Sequence, residues 1–169
     1  MLFVGINPGL RSAAIGHHFA GYSNRFWKLL HESGLVPERL RAEDDGRLPE
    51  WGFGMTNLIP RMTPGIDTLR PEEYVAGERT LRRKVRRSKP PVIAFLGVSL
   101  YRAIAGRRLR AVRGARPMAL GLQAETFEGA RVFVLPNPSG RNANFTYAEM
   151  LVAFEALAVF ARRGRARRP

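Results

Sequence analysis

The feature that most constrains the fold is the run Val92-Ile93-Ala94-Phe95-Leu96-Gly97, which contains no polar side chain. A strand with one face in water alternates apolar and polar residues, so an unbroken apolar run is typical of a strand buried on both faces. Strands of this kind occur in parallel sheets that helices cover on both sides. The run therefore predicts a three-layer α/β/α sandwich with a central, mainly parallel sheet.

Strand-like and helix-like segments alternate along the rest of the chain, as expected when helices connect parallel strands. Apolar runs predict strands at 2–6, 53–59, 124–127 and 132–135, and helical spacing predicts helices at 24–33, 71–87, 99–104 and 146–162. Residues 11–21 are polar and contain glycine, which indicates a loop. We predict a single domain over residues 1–161, followed by a basic C-terminal tail at 162–169.

The first strand ends in the turn Ile6-Asn7-Pro8-Gly9. Pro8 cannot continue a strand ladder, and Gly9 lets a backbone or a ligand approach closely. Open α/β sheets bind ligands at the carboxyl ends of their strands, which makes Asn7 a candidate site residue. The alternative is an ordinary strand-to-loop turn, because Asn-Pro and Pro-Gly are common turn dipeptides.

A second segment repeats this pattern. The apolar run 132–135 leads into Asn137-Pro138-Ser139-Gly140. Two strand ends with similar turns in one domain could face each other across a single cleft. We therefore predict that Asn7 and the loop 137–141 border a shared pocket.

The charge balance indicates a polyanionic partner. The chain has 28 Lys and Arg against 14 Asp and Glu, a net charge of +14, and the tail holds only five of the arginines. Such an excess favours nucleic acid, while the alternative is a basic surface that is merely solvated. Of the Arg-rich segments 82–87 and 107–116, we expect at least one to contact the phosphate groups of such a partner.

Four motifs together carry a family resemblance. They are GINPGL at 5–10, Phe19-Ala20, NRFWK at 24–28 and LPNPSG at 135–140. In this order, and over nearly the whole chain, the sequence resembles the mismatch-specific uracil/thymine DNA glycosylases. The resemblance implies the uracil-DNA glycosylase fold and a monofunctional enzyme. Such an enzyme flips uracil out of G·U mispairs and hydrolyses the N-glycosidic bond, with thymine or other damaged pyrimidines as open alternatives.

The resemblance also implies roles for residues at the two turns. Phe19 would stack on the flipped base, Ile6 would offer main-chain contacts to it, and Asn7 would hold the attacking water. An amide cannot accept a proton near neutral pH, so Asn7 can orient water but cannot be a general base. Asn137 stands where related enzymes carry a histidine, and a neutral amide stabilises a departing uracil anion less.

The segment Gly140-Arg141-Asn142 follows the second turn. In the family an apolar wedge residue after this glycine enters the space that the flipped base leaves. This chain has Arg141 there, which could fill the gap and hydrogen-bond the unpaired guanine. The alternative for Arg141 is a phosphate contact.

Asp67 is one of few acidic residues near a predicted strand end. We include it as a catalytic candidate because a carboxylate could orient or activate water beside Asn7. The alternative is a turn residue ahead of the helix that starts at Pro71.

Other site types are not indicated. The chain has no cysteine, and His17 and His18 are adjacent, which ordinarily makes their side chains point apart, so we expect no metal and no cofactor. No run is long enough to span a membrane, and the N-terminus lacks a signal-peptide pattern. We expect a cytoplasmic monomer that acts on double-stranded DNA containing mispaired uracil. The alternative is a non-catalytic DNA-binding protein on the same fold.

Overall fold

The core of the protein is a five-stranded sheet. The structure is a computed structural model that describes residues 1–109 and 120–165. The strands lie in the order β2-β1-β3-β5-β4, and their bounds are β1 Leu2–Gly5, β2 Gly54–Asn57, β3 Val92–Leu96, β4 Gly121–Phe127 and β5 Ala130–Leu135.

Four of the strands run parallel. β1 pairs with β2 from Leu2 opposite Gly54 to Gly5 opposite Asn57, and it pairs with β3 on its other side. β3 also pairs in parallel with β5, and all five β3 residues are buried. The prediction from the run 92–97 is confirmed, because this strand lies at the centre of the sheet.

Helices cover both faces of the sheet. They are α1 Leu10–Ile15, α2 Phe26–Glu32, α3 Pro71–Ser88, α4 Val98–Leu109 and α5 Tyr147–Arg165, with 3-10 helices at Ala42–Trp51 and Ile66–Thr68. The alternating side chains of β1 divide the core, since Phe3 packs with α2 and α5 while Val4 packs with α3 and α4. This arrangement confirms the predicted α/β/α sandwich.

Three elements differ from the sequence predictions. Residues 10–15 form a helix where we predicted a loop, and α4 continues to residue 109 rather than ending at 104. β4 starts at Gly121 and runs antiparallel to β5. The two strands are joined by Glu128 (φ 50°) and Gly129 (φ 83°), and positive φ at both loop residues is typical of a tight hairpin turn.

The C-terminal segment is helical up to Arg165, so the predicted tail begins inside α5. Residues 110–116 of the second Arg-rich segment and 166–169 of the tail lie outside the described residues. Among the described residues, no helix is both long and apolar enough to cross a membrane. The division into a domain and a tail stays a prediction.

Parallel pairing brings the carboxyl ends of β1, β2, β3 and β5 to one edge of the sheet. The loops that follow Gly5, Asn57, Leu96 and Leu135 meet there. This edge is where an open α/β sheet places its ligand.

Candidate active site

A cavity of about 890 Å³ opens at the carboxyl edge of the sheet. This volume lies within the range of ordinary ligand pockets, about 300–1,000 Å³. Seven of the eight predicted site residues line it: Ile6, Asn7, Phe19, Asp67, Asn137, Arg141 and Asn142. Gly140 does not line the cavity, and packs against Ser23. The two turns therefore do border one hollow.

The Asn7 side chain is held by acceptors on one side. Its Nδ2 lies 2.7 Å from Thr63 Oγ1 and 3.2 Å from each of the carbonyl oxygens of Pro8 and Arg61. A carbonyl oxygen can only accept, so the amide nitrogen must face these groups. Within residues 1–109 and 120–165, no hydrogen bond occupies Asn7 Oδ1. The free end of this amide is thus its acceptor.

Thr63 fixes this orientation further. It is buried, and its hydroxyl donates to the carbonyl oxygen of Gly65 over 2.5 Å. Because the one hydroxyl proton is used there, Thr63 Oγ1 must accept from Asn7. The main-chain N–H of Thr63 also bonds Pro8 O, which joins the loop to the first turn.

The main chain of Ile6 is partly engaged. Its carbonyl oxygen accepts from the N–H of Ile59 over 2.8 Å, and the side chain is buried. The main-chain contact predicted for Ile6 would therefore be a second bond on that oxygen or a bond from its N–H.

Phe19 lies beside the first strand end in an uncommon conformation. Its φ is 54°, in the left-handed region that residues other than glycine disfavour. Its ring centroid is 4.4 Å from that of Phe26, with the planes tilted by 30°. A Cβ at Gly5 would come within 3.1 Å of the ring, so a glycine there lets the ring sit close to the strand.

The second turn uses its asparagine differently. The N–H of Ser139 donates to Asn137 Oδ1 over 3.0 Å, and no hydrogen bond within the described residues occupies Nδ2, which is thus the free end of that amide. Asn142 Nδ2 donates to Asn137 O, and Asn142 Oδ1 accepts from Asn144 N, so both ends of the Asn142 amide are used inside the loop. The contact of Asn142 with DNA stays a prediction.

The second turn is docked against the segment before α2. The N–H of Arg25 donates to Pro138 O over 2.9 Å. A Cβ at Gly140 would overlap Ser23, so only glycine allows this approach. The loop is thereby held at a fixed position on the cavity rim.

Arg141 and Asp67 lie on the same side of the mouth. Arg141 Nη1 donates to Pro64 O, and the side chains of Arg141 and Asp67 both lie next to Gly65. Both residues are exposed. Arg102 also lines the cavity, so the charged groups that the described residues place at its wall are one carboxylate and two guanidinium groups. These described side chains carry a net positive charge, which suits a negatively charged ligand.

The adjacent histidines do not point apart as expected. His17 Nδ1 and His18 Nδ1 both lie against the carboxylate of Asp45, at 3.0 and 3.2 Å. Among the described residues, no group of three or more His, Cys, Asp or Glu side chains forms a candidate metal cluster.

Segment 82–87 is only partly available for phosphate. Arg82 and Arg86 both pair with Glu128, while Arg83 and Arg87 are exposed. Arg86 and Lys84, which donates to Thr56, are exposed as well, so a contact between this segment and phosphate would rely mainly on Arg83 and Arg87 and less on these two.

Residues 1–158 match the family model described as the Uracil DNA glycosylase superfamily. The match spans both asparagine turns and every strand described above. The chain belongs to the uracil DNA glycosylase superfamily. The resemblance drawn from the four motifs is confirmed.

One relative is also similar to this uracil DNA glycosylase superfamily member, over most of the length of the present chain. It is a protein of Schizosaccharomyces pombe (strain 972 / ATCC 24843) named G/U mismatch-specific uracil DNA glycosylase. The two are 38% identical over 152 residues, which cover 86% of this chain and 45% of the relative. The chain thus spans less than half the length of that relative.

Among the polar residues of this superfamily member's cavity that sequence reasoning did not single out, Asn57 and Thr63 lie nearest to the first turn. Asn57 ends β2 opposite Gly5, and its Oδ1 lies 2.6 Å from where a Cβ of Gly5 would be. Thr63 holds Asn7 from the following loop. The strand-end rule that singled out Asn7 did not reach Asn57, because the predicted strand continued to residue 59. No local pattern marks Thr63, because its partner is 56 residues away.

Proposed function

We propose that the chain is a monofunctional DNA glycosylase that removes uracil from G·U mispairs in double-stranded DNA. Family membership and the relative named for G/U mismatches support the proposal. The observation that carries it is that two amide groups, each with one free end, line one cavity. Asn7 presents an acceptor there, and Asn137 presents a donor. Both groups assist hydrolysis of an N-glycosidic bond, one by orienting the water and one by stabilising the departing base.

The acceptor end of Asn7 would hold the attacking water. Because its Nδ2 is fixed by three acceptors, Oδ1 is positioned without the cost of ordering the side chain during the reaction. A neutral amide orients water but does not take its proton. The reaction therefore relies on a dissociative transition state, in which the base leaves before the water bonds to the sugar.

The donor end of Asn137 would meet an oxygen of the departing pyrimidine. A hydrogen bond there stabilises the negative charge that develops as the bond breaks, though less than a charged donor does. Flipping a base out of a duplex costs a few kcal/mol, and this cost is smaller for a mispair. A weak leaving-group contact therefore favours uracil that is already mispaired.

The rest of the cavity would hold the flipped base. Phe19 offers its ring as the stacking face, and Asn57 offers an amide to the hydrogen-bonding edge. No hydrogen bond within the described chain occupies the Asn57 side chain, so both of its ends are available. Arg141, Gly140 and Asn142 form the loop that would enter the duplex beside the flipped nucleotide.

The direct test uses duplexes that hold G·U, A·U or G·T, and a single strand that holds U. The protein is incubated with each in EDTA, and alkali then cleaves any abasic sites. Breaks at uracil, fastest in G·U, are the expected result. Retarded mobility without breaks would instead identify a non-catalytic DNA-binding protein.

Asp67 is proposed as a second group that orients water. Its exposed position at the mouth also fits a turn residue, and Asp67→Ala separates the two roles. If the carboxylate orients the water, the single-turnover rate of Asp67→Ala falls about 10-fold. An unchanged rate, with the same thermal midpoint, dismisses the catalytic role and leaves a flat profile from neutral to mildly alkaline pH.

A further inference from the structure

The short segment 17–20 presents Phe19 to the cavity in a strained backbone conformation. The φ of 54° is disfavoured for an aromatic residue and persists only where surrounding contacts hold it. The ring contacts Phe26, but ring packing alone does not determine the backbone angle. Something must hold the main chain on either side of Phe19.

Hydrogen bonds hold the main chain on both sides of Phe19. Before Phe19, the N–H of His18 donates to Asp45 Oδ2 over 3.0 Å, and the indole of Trp27 donates to His18 O over 3.2 Å. After it, the N–H of Ala20 donates to Ser12 Oγ over 2.9 Å.

Asp45 is the centre of this arrangement. Its Oδ1 accepts from His17 Nδ1, and its Oδ2 accepts from both the N–H and Nδ1 of His18. Partial burial acts to raise the pKa of Asp45, but the hydrogen bonds from His18 and His17 outweigh it and hold that pKa below its usual range. The carboxylate is therefore charged at every pH used below.

Asp45 does not line the cavity. It lies on the 3-10 helix Ala42–Trp51, so any effect on the reaction must pass through the segment 17–19.

Among the described residues, no charged group other than the two histidines forms a hydrogen bond or ion pair with Asp45, and Arg41 and Glu43 of the same segment are exposed. Asp44 accepts from the N–H of Arg41, and Arg47 pairs with Glu38 and Glu50. From the α1 side, Arg11 stacks on Tyr22. On α2, Lys28 pairs with Glu32, and His31 lies one residue before that glutamate. The groups that act on the Asp45 carboxylate are thus the two histidines.

We propose that Asp45 is a positioning residue that acts through His17 and His18 to hold the Phe19 ring where the flipped base stacks. The proposal rests on the proposed function. An aspartate suits the task because a carboxylate only accepts, and all three groups that face it carry a proton to donate. An imidazole can donate from Nδ1 whether it is neutral or protonated, so the contact survives both states.

An asparagine at position 45 would behave differently. Its oxygen must take the Oδ2 position, because the main-chain N–H of His18 can only donate. Its NH₂ group then faces His17 Nδ1, which can accept when the imidazole is neutral but not when it is protonated. Asp45→Asn therefore introduces a pH dependence that the wild-type contact lacks.

The experiment compares Asp45→Asn with Asp44→Asn at pH 8 and pH 5.5, in single-turnover excision and in binding of a duplex with a non-cleavable uracil nucleotide. Asp44→Asn makes the same charge change one residue away. We expect Asp45→Asn to match this control at pH 8 and to bind about 5- to 10-fold more weakly than it at pH 5.5. The double variant Asp45→Asn/His17→Gln should lose this pH dependence, since glutamine can accept at both values.

A purely structural role for Asp45 predicts another pattern, with equal losses at both pH values and a lowered thermal midpoint. That result, or no loss at either pH, would overturn the proposal.

A substrate-free measurement separates this proposal from the proposed function. The chain has two tryptophans, so Trp51→Phe leaves Trp27, whose indole bonds His18 O, as the reporter. In this background Asp45→Asn should change the Trp27 emission between pH 8 and pH 5.5, and Asp44→Asn should not. A change without uracil excision in the wild type means that the positioning contact stands and the proposed function fails. Constant emission overturns the contact itself.

Discussion

The two asparagine turns share a sequence pattern but use their amides in opposite ways. Asn7 follows β1 and donates its Nδ2 to the protein, which leaves the oxygen for a ligand. Asn137 follows β5 and accepts with its Oδ1 from Ser139 N–H, which leaves the nitrogen. One turn thus offers the cavity an acceptor, and the other offers it a donor.

The difference arises from where the partners lie along the chain. Two acceptors of Asn7 come from residues 61 and 63, so its orientation depends on how the loop after β2 packs against the first turn. The donor to Asn137 is two residues away, in the local pattern in which an Asn side chain bonds its own backbone. Identical residue types therefore acquire opposite roles, one through tertiary contacts and the other through local ones.

Removing the acceptor should have the largest effect. Asn7→Ala leaves the water without its hydrogen-bond partner, and we expect the single-turnover rate on G·U duplexes to fall about 10²–10³-fold, as when one positioned polar group is removed from an active site. Binding of a non-cleavable duplex should change much less, because the duplex contacts remain. If binding falls as far as the rate, Asn7 holds the base rather than the water, and the contrast between the turns is wrong.

Reversing the free end of the second turn should have the next largest effect. In Asn137→Asp the oxygen that accepts from Ser139 is kept, but a carboxylate oxygen replaces the free NH₂ and repels the developing charge on the base. We expect about a 10- to 100-fold loss of rate near neutral pH, partly recovered as the pH is lowered and the carboxyl is protonated. The thermal midpoint, measured in parallel, should stay close to that of the wild type. A rate that does not recover in acid would show that the donor of Asn137 does not face the base.

The fold could be predicted where burial leaves a pattern in the sequence. The apolar runs at β3 and β5 marked the central strands because both faces of each are covered. α1 left no such pattern, since it is only six residues long and none of its residues is buried. The direction of β4 depended on a two-residue turn at Glu128 and Gly129, which a weak and largely exposed strand did not reveal.

Of the site, sequence could predict only the residues that lie where a predicted strand ends. Asn7 and Asn137 stand directly after short apolar runs and before proline, so their position at the edge followed from sequence. Asn57 ends β2, but Leu58 and Ile59 continue the apolar run. The predicted strand therefore ended at Ile59 rather than at Asn57. The opposite orientation of the two amides could not be predicted, because two of the three acceptors of Asn7 come from a loop more than fifty residues away.

The smallest expected effect tests that long-range part of the comparison. Thr63→Val keeps the shape of a buried side chain and removes the hydroxyl that accepts from Asn7, while the carbonyls of Pro8 and Arg61 remain. The Asn7 side chain should be held less precisely but keep its two carbonyl partners. We therefore expect about a 3- to 10-fold loss of single-turnover rate. Thr68→Val is the matched control, because its hydroxyl donates to the same Gly65 oxygen, at 3.3 Å, without contacting Asn7. Equal losses in both variants would mean that the hydrogen bond to the Gly65 carbonyl, rather than the contact with Asn7, affects the rate. The orientation of the Asn7 amide would then be as locally determined as that of Asn137.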